Sequence, residues 1–106
     1  DVEIQAVTAV ATSAGISSLT FFPLGAVVTG GNFLFELFRG EHVVAIRGAG
    51  QGVVTSVQLV TDQGRTSSVW GAQVGRSWEV TASAGTAIVG ARVSGAEIDE
   101  VEMVDL

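Results

Sequence analysis

Short apolar runs alternate with glycine, asparagine, aspartate and serine along the whole 106-residue chain. These runs are rich in Val, Ile, Thr and Phe and recur roughly every ten residues, which is typical of β-strands joined by turns. The strand-like runs are Val2–Val10, Ile16–Phe22, Phe33–Phe38, His42–Arg47, Val53–Thr61, Ser67–Trp70, Ser77–Thr81, Thr86–Val93 and Ile98–Val104. No long window has the 3.6-residue period of an amphipathic helix. The pattern therefore predicts one all-β domain over residues 1–106.

A weak internal repeat divides the middle of the chain into two similar units. The matching segments are Ile16–Phe21 with Val54–Leu59, and Val43–Arg47 with Ile88–Arg92. The units are each about forty residues long, and repeated units of this kind bury together the faces that neither can bury alone. The two terminal runs are left over, so we expect them to build a third sheet together.

The composition excludes several classes of protein. The chain is 47% hydrophobic and 15% charged, which is too apolar for intrinsic disorder. Its net charge of −6 argues against nucleic acid as a partner, because phosphate binding needs positive charge. The chain contains no cysteine, which excludes disulfides and thiolate chemistry. No apolar stretch approaches the ~20 residues of a membrane-spanning helix, and we expect no membrane insertion.

Catalytic chemistry is poorly supported by the residues present. His42 is the only histidine, and no Gly-x-Ser-x-Gly elbow accompanies it. The glycine-rich segment Gly48–Gly52 lacks the Lys-Ser/Thr of a phosphate-binding loop. A glycosidase could use Glu97 and Asp99 as paired carboxylates, but nothing in the sequence fixes their separation. We therefore predict no catalytic residue, no metal site and no cofactor.

Ordered motifs along nearly the whole chain resemble the jacalin-related lectins, the β-prism I family. The segments that carry the resemblance are Gly15–Phe21, Gly40–Gly48, Val53–Thr66, Trp70-Gly71 and Ile88–Asp99. They are similar to the family patterns G-I-x-S-L-x-F, G-E-Y-I-x-x-I-x-G, V-V-x-S-L-x-F-x-T-N-x-G-R-T, an aromatic followed by Gly-Pro, and I-V-G-F-x-G-R-S-G-x-x-L-D. The resemblance implies a β-prism I fold, with three four-stranded Greek-key sheets in pseudo-threefold symmetry and a shallow sugar site at one end.

The resemblance also implies which residues bind the sugar. The family's Gly-x-x-x-Asp loop corresponds to Gly95, Ala96, Glu97 and Asp99, and its recognition loop corresponds to a shortened turn with Gln51 and Gly52. A carboxylate there can accept charge-assisted hydrogen bonds from two hydroxyls. The alternative is that Gly95 only makes a turn and that Asp99 is solvated.

Two departures from the family pattern predict weak binding. Ala96 and Glu97 stand where relatives often carry an aromatic residue that stacks on the sugar. The two tryptophans do not replace this aromatic, because we expect Trp70 and Trp78 to be packing residues. The family's glycine-rich stretch ahead of the first strand has no counterpart before Asp1, which leaves it cleaved, supplied elsewhere or lost. Any sugar site should therefore be weak and useful only when several copies bind at once.

The sequence thus predicts a non-catalytic lectin domain that binds mannose/glucose-type, or galactose-type, glycans weakly and reversibly. The alternative is a structural or assembly β-prism module that has lost sugar binding. Relatives commonly associate through exposed strands, so a homo-oligomer is expected. The compartment stays open: a secreted location is slightly favoured over a cytoplasmic one, and the absence of cysteine is compatible with both.

Overall fold

The structure is a computed structural model that describes residues 3–106, so Asp1 and Val2, with the start of the first expected run, lie outside the described residues. Its strands are β1 (Ile4–Thr12), β2 (Gly15–Pro23), β3 (Phe33–Glu36), β4 (Val43–Gln51), β5 (Val53–Thr61), β6 (Trp70–Gly71), β7 (Arg76–Thr81), β8 (Thr86–Ser94) and β9 (Glu97–Asp105). Each predicted run overlaps one strand, and no described residue is helical. The all-β prediction is confirmed. The described residues hold no helix long and apolar enough to cross a membrane.

Three hairpins of similar size form the framework. They are β1–β2, β4–β5 and β8–β9, and every one of these six strands has 9 residues. Single residue pairs join the hairpins: Ile16 faces Val54, and Val43 faces Ile88. The shorter strands pair with the framework, β3 with β1, β6 with β5 and β7 with β4. All pairings are antiparallel.

These joints lie at positions that the sequence repeat makes equivalent. Ile16 and Val54 begin one pair of matching segments, and Val43 and Ile88 begin the other. The prediction that the terminal strands build a sheet of their own is wrong, because β1 lies between β2 and β3 while β9 pairs with β8. Each terminal strand pairs instead with its neighbour in sequence across a tight turn. The strands form one connected sheet in the order β3-β1-β2-β5-β4-β8-β9, rather than three separate Greek keys.

One hydrophobic core lies inside the folded sheet. It combines buried side chains from strands of all three hairpins, among them Val7, Ile46, Leu59 and Ile88. Burying such side chains is the main source of folding free energy. Trp70 is 2% exposed and stacks on Phe33 with ring centroids 5.6 Å apart, so its predicted packing role is confirmed.

Strand β4 is longer than its predicted run because glycines continue it rather than end it. The ladder with β5 runs on through Gly48 and Gly50 to Gln51, so that only Gly52 lies between the two strands. Gly52 has a φ of +74°, a backbone conformation that glycine adopts without strain. Conversely, β3 ends at Glu36 rather than at Phe38, and β6 is only Trp70–Gly71. The β4–β5 end is therefore a compact turn and not an extended loop.

Candidate functional site

The tip of the β8–β9 hairpin is a tight two-residue turn. Ser94 pairs with Glu97, which leaves Gly95 and Ala96 as the connection. Gly95 has a φ of +58° and is exposed, as two-residue hairpin turns with glycine require. The glycine and the acidic residues that follow it thus lie together at the end of a long hairpin.

This tip packs directly on the end of β4. A Cβ atom added to Gly50 would overlap the carbonyl oxygen of Ala96, so that only glycine permits this approach. Gly75, just before β7, is similarly close to the Gly50 carbonyl oxygen. The two segments that the sequence proposed as one site, Gly95–Asp99 and the β4–β5 turn, therefore lie side by side.

An open cleft of about 330 Å³ lies at this junction. Its lining residues are Gly50, Arg76, Ser77, Trp78, Ser94, Ala96 and Glu97. Arg76, Ser77, Ser94 and Glu97 are exposed, whereas Trp78 is half-buried and packs partly against the core. The cleft therefore offers a cation, a carboxylate, two hydroxyls and one indole, a combination that suits a small, polar, neutral ligand with an apolar face.

Asp99 lies on the exposed side of β9, beside Arg92. Its Oδ1 atom accepts a hydrogen bond of 3.3 Å from Arg92 Nε, and 47% of its side chain is exposed. Glu100, whose φ is +47°, places Oε2 at 3.3 Å from the same nitrogen. The hydrogen bond from Arg92 to Asp99, with the two nearby negative charges, raises the pKa of Arg92 above its ordinary value. The guanidinium thus orients the Asp99 carboxylate without enclosing it.

The proposed sugar-binding residues differ in their relation to the cleft. Ala96 and Glu97 line it. Gln51, Gly52 and Gly95 are exposed at the two neighbouring turns, and Asp99 is exposed on β9, but none of these four residues lines the cleft. Gly50, immediately before Gln51, provides the β4 side of the cleft instead.

Sequence reasoning missed the contribution of β7. Arg76, Ser77 and Trp78 reach the cleft because β7 pairs with β4, where Gly50 is opposite Arg76 and Gly48 is opposite Trp78. A pairing between strands that are distant in sequence leaves no local motif. The only available signal was Trp78 itself, an aromatic among polar residues.

Other candidate chemistry is absent from this region or used structurally. His42 Nδ1 lies 2.9 Å from Asp62 Oδ2, so the single histidine is engaged in a local hydrogen bond. Within residues 3–106, no group of three or more His, Asp or Glu side chains could hold a metal ion.

Comparison with known proteins places the chain in a family. Residues 3–104 match the family model of the jacalin-like lectin domain, and the chain belongs to this family. The solved structure of a prostate-specific WGA16 glycoprotein lectin is similar, with a TM-score of 0.79 and 20% identity over 96% of this chain and 82% of that one. A mannose-binding jacalin-related lectin from Ananas comosus, AcmJRL, gives a TM-score of 0.69 and 20% identity over 98% of this chain and 83% of that one. No curated protein sequence matches significantly.

Proposed function

We propose that this protein is a non-catalytic lectin domain that binds glycans reversibly in the cleft beneath the β8–β9 tip. The observation that carries the proposal is the packing of Ala96 on Gly50, which places the Gly-x-x-x-Asp loop of a jacalin-like domain next to the polar and aromatic residues of β7. We also propose that residues 1–106 act as one domain and that the three hairpins form the sides of a three-sided prism.

The chemistry of the cleft is suited to a pyranose. Glu97 can accept hydrogen bonds from hydroxyl groups, and its charge strengthens them. Arg76 can donate to ring or hydroxyl oxygens, while Ser77 and Ser94 can donate or accept. Trp78 offers apolar area for the C–H face of the sugar, which supplies the contact that Ala96 and Glu97 lack in the loop itself. Asp99, held by Arg92, is exposed on β9 two residues after Glu97.

Mannose/glucose-type glycans are the first ligands to test, with galactose-type glycans second. The lectin AcmJRL, which has the same fold, is described as mannose binding. Open clefts that bury little ligand area give weak affinity, so we expect millimolar dissociation constants and dependence on multivalent display. A homo-oligomer would provide that multivalency.

A glycan array probed with an oligomeric form of the protein tests the proposal. Binding should be lost in Glu97→Ala and Asp99→Ala, because both variants remove a hydroxyl acceptor while changing exposed positions that contribute little to folding. Asp105→Asn is the matched control, an exposed acid at the opposite end of β9. Unchanged melting curves would establish that the variants fold. Binding that survives both substitutions, or no binding to any glycan, would contradict the proposal.

The alternative, an assembly module without sugar binding, is favoured by one observation. The ion pair between Arg92 and Asp99 uses one carboxylate oxygen that a sugar would otherwise engage. A stable oligomer that binds no glycan, measured by light scattering and the same array, would support this second function.

A further inference from the structure

A second and larger cleft adjoins the first along β7. Its volume is about 500 Å³, and the residues that matter here are Arg47, Gly48, Ser56, Gln58 and Glu79. Ser77 and Trp78 line both clefts. The two clefts therefore share a wall and lie next to each other, rather than on unrelated parts of the surface.

The register between β4 and β7 shows how the clefts follow each other. Gly50 is opposite Arg76 in the first cleft, and Arg47 is opposite Glu79 in the second. At a strand rise of about 3.3 Å per residue, the four residues from Arg76 to Glu79 span roughly 10 Å. This distance exceeds a single pyranose ring.

Gly48 allows Trp78 to lie close to β4 between the two clefts. A Cβ atom at Gly48 would meet Trp78 Cζ2 at 2.9 Å and would also overlap the Ser56 carbonyl oxygen. The indole is thus held against the strand, where it forms part of the floor of both clefts.

The second cleft contains polar groups with capacity to bind a ligand. Arg47 Nε donates to Gln58 Oε1 at 3.0 Å, but the Arg47 side chain is exposed. Ser56 is fully buried, and its Oγ atom has no hydrogen-bond partner among the described residues. A buried polar group of this kind is costly unless something hydrogen-bonds to it. The presence of both Arg47 and Glu79 suits a neutral ligand with many hydroxyls better than an ion of either sign.

We propose that the two clefts form one extended site for an oligosaccharide, in which one sugar unit binds beneath the β8–β9 tip and the next binds over Arg47, Ser56 and Glu79. This inference rests on the proposed lectin function and specifies its ligand as a chain of sugars rather than a terminal monosaccharide. Trp78 would contact both units at their junction.

Calorimetric titration with monosaccharide and trisaccharide pairs tests the extended site. The probes are methyl α-mannoside with mannotriose, methyl α-glucoside with maltotriose, and methyl α-galactoside with galactotriose. We expect at least one trisaccharide to bind about tenfold more tightly than its monosaccharide, the gain that one charge-assisted hydrogen bond supplies. Arg47→Ala and Ser56→Ala should each reduce that ratio while leaving the monosaccharide dissociation constant unchanged.

Arg39→Ala is the matched control, because Arg39 is an exposed arginine that lies in neither cleft. Equal binding of both members of every pair, or a ratio that survives Arg47→Ala and Ser56→Ala, would overturn the extended site and leave the lectin function intact. Failure of all six sugars to bind would overturn the lectin function and the extended site together.

Discussion

The guanidinium of Arg65 forms a bidentate ion pair with the carboxylate of Glu41. Arg65 Nε donates to Glu41 Oε2 at 2.8 Å, and Nη2 donates to Oε1 at 2.6 Å. The Glu41 side chain is completely buried, whereas 35% of the Arg65 side chain is exposed. The hydroxyl of Thr61 and the backbone N–H of Phe38 also donate to Glu41, at 2.7 and 2.9 Å. The buried carboxylate is thus fully hydrogen-bonded, which is the condition for burying a charge.

This ion pair predicts a specific dependence of stability on pH. Hydrogen bonding to Arg65 is the main cause that lowers the pKa of Glu41 from 4.5 to about 2, against the opposing effect of burial. Because the folded-state pKa is depressed, the stabilisation is complete above pH 4.5 and is lost as the pH falls toward 2. The shift corresponds to about 2–3 kcal/mol once the partial exposure of Arg65 is allowed for.

Chemical denaturation of wild type and Glu41→Gln at several pH values measures this contribution. The difference in unfolding free energy should be largest at neutral pH and should shrink toward pH 2, because the wild-type carboxylate then becomes neutral as well. Glu36→Gln, an exposed acid, is the control and should follow the wild-type profile. A wild-type–Glu41→Gln difference that stays constant with pH would show that the ion pair does not govern the acid transition.

Arg65→Lys should destabilise the protein by about 2 kcal/mol although it keeps the charge. Lysine cannot make the two-point contact with Glu41. It also cannot stack a planar group between the rings of Phe35 and Phe38, whose centroids lie 4.7 and 4.2 Å from the Arg65 guanidinium carbon. Thermal unfolding of Arg65→Lys provides the measurement. Arg39→Lys is the control, because Arg39 is an exposed arginine that pairs with Glu3. Equal melting temperatures for the two variants would mean that charge alone is what matters.

Gly50 and Gly52 allow steric overlap and backbone strain to be tested separately. Gly50→Ala places a methyl group against the Ala96 carbonyl and should cost about 1–3 kcal/mol and abolish glycan binding, because the β8–β9 tip must move. Gly52→Ala meets no atom within 4 Å and bears only the strain of its φ of +74°, which costs about 1 kcal/mol. Urea denaturation and the glycan array report both effects. Retained glycan binding in Gly50→Ala would show that the contact between Gly50 and the β8–β9 tip is not required for sugar recognition.

Local pattern was enough to find the strands, but it did not determine how they pair. Alternation in Val53–Thr61 is interrupted because Ala49 pairs with Ser56 while Gly50 pairs with Val54, which leaves Thr55 as a bulge. The bulge turns Val54, rather than Val53, toward the core. The repeat identified equivalent residues such as Ile16 and Val54, yet it did not show that each terminal strand pairs with its sequence neighbour.

The candidate site was predictable only where a motif defines it. Gly95–Asp99 carries a recognisable spacing, whereas the contribution of Trp78 depends on the β4–β7 pairing and on the small size of Gly48 and Gly50. The Arg92–Asp99 contact depends on the register of the β8–β9 hairpin, in which these two residues are opposite each other. Such long-range contacts follow from packing and not from residue order.

Trp78 and Trp70 should respond differently to replacement by phenylalanine. Trp78 Nε1 is buried and has no hydrogen-bond partner among the described residues, so Trp78→Phe loses packing area but also removes an unsatisfied donor. Its unfolding free energy should change by less than about 1 kcal/mol, while glycan binding should weaken about three- to tenfold because the smaller ring covers less of the sugar. Trp70→Phe should leave binding unchanged but cost about 1–3 kcal/mol, because Trp70 is 2% exposed and stacks on Phe33 in the core. Denaturation and calorimetry on both variants measure these effects. If Trp78 were only a packing residue, Trp78→Phe would lower the free energy of unfolding and leave glycan binding unchanged.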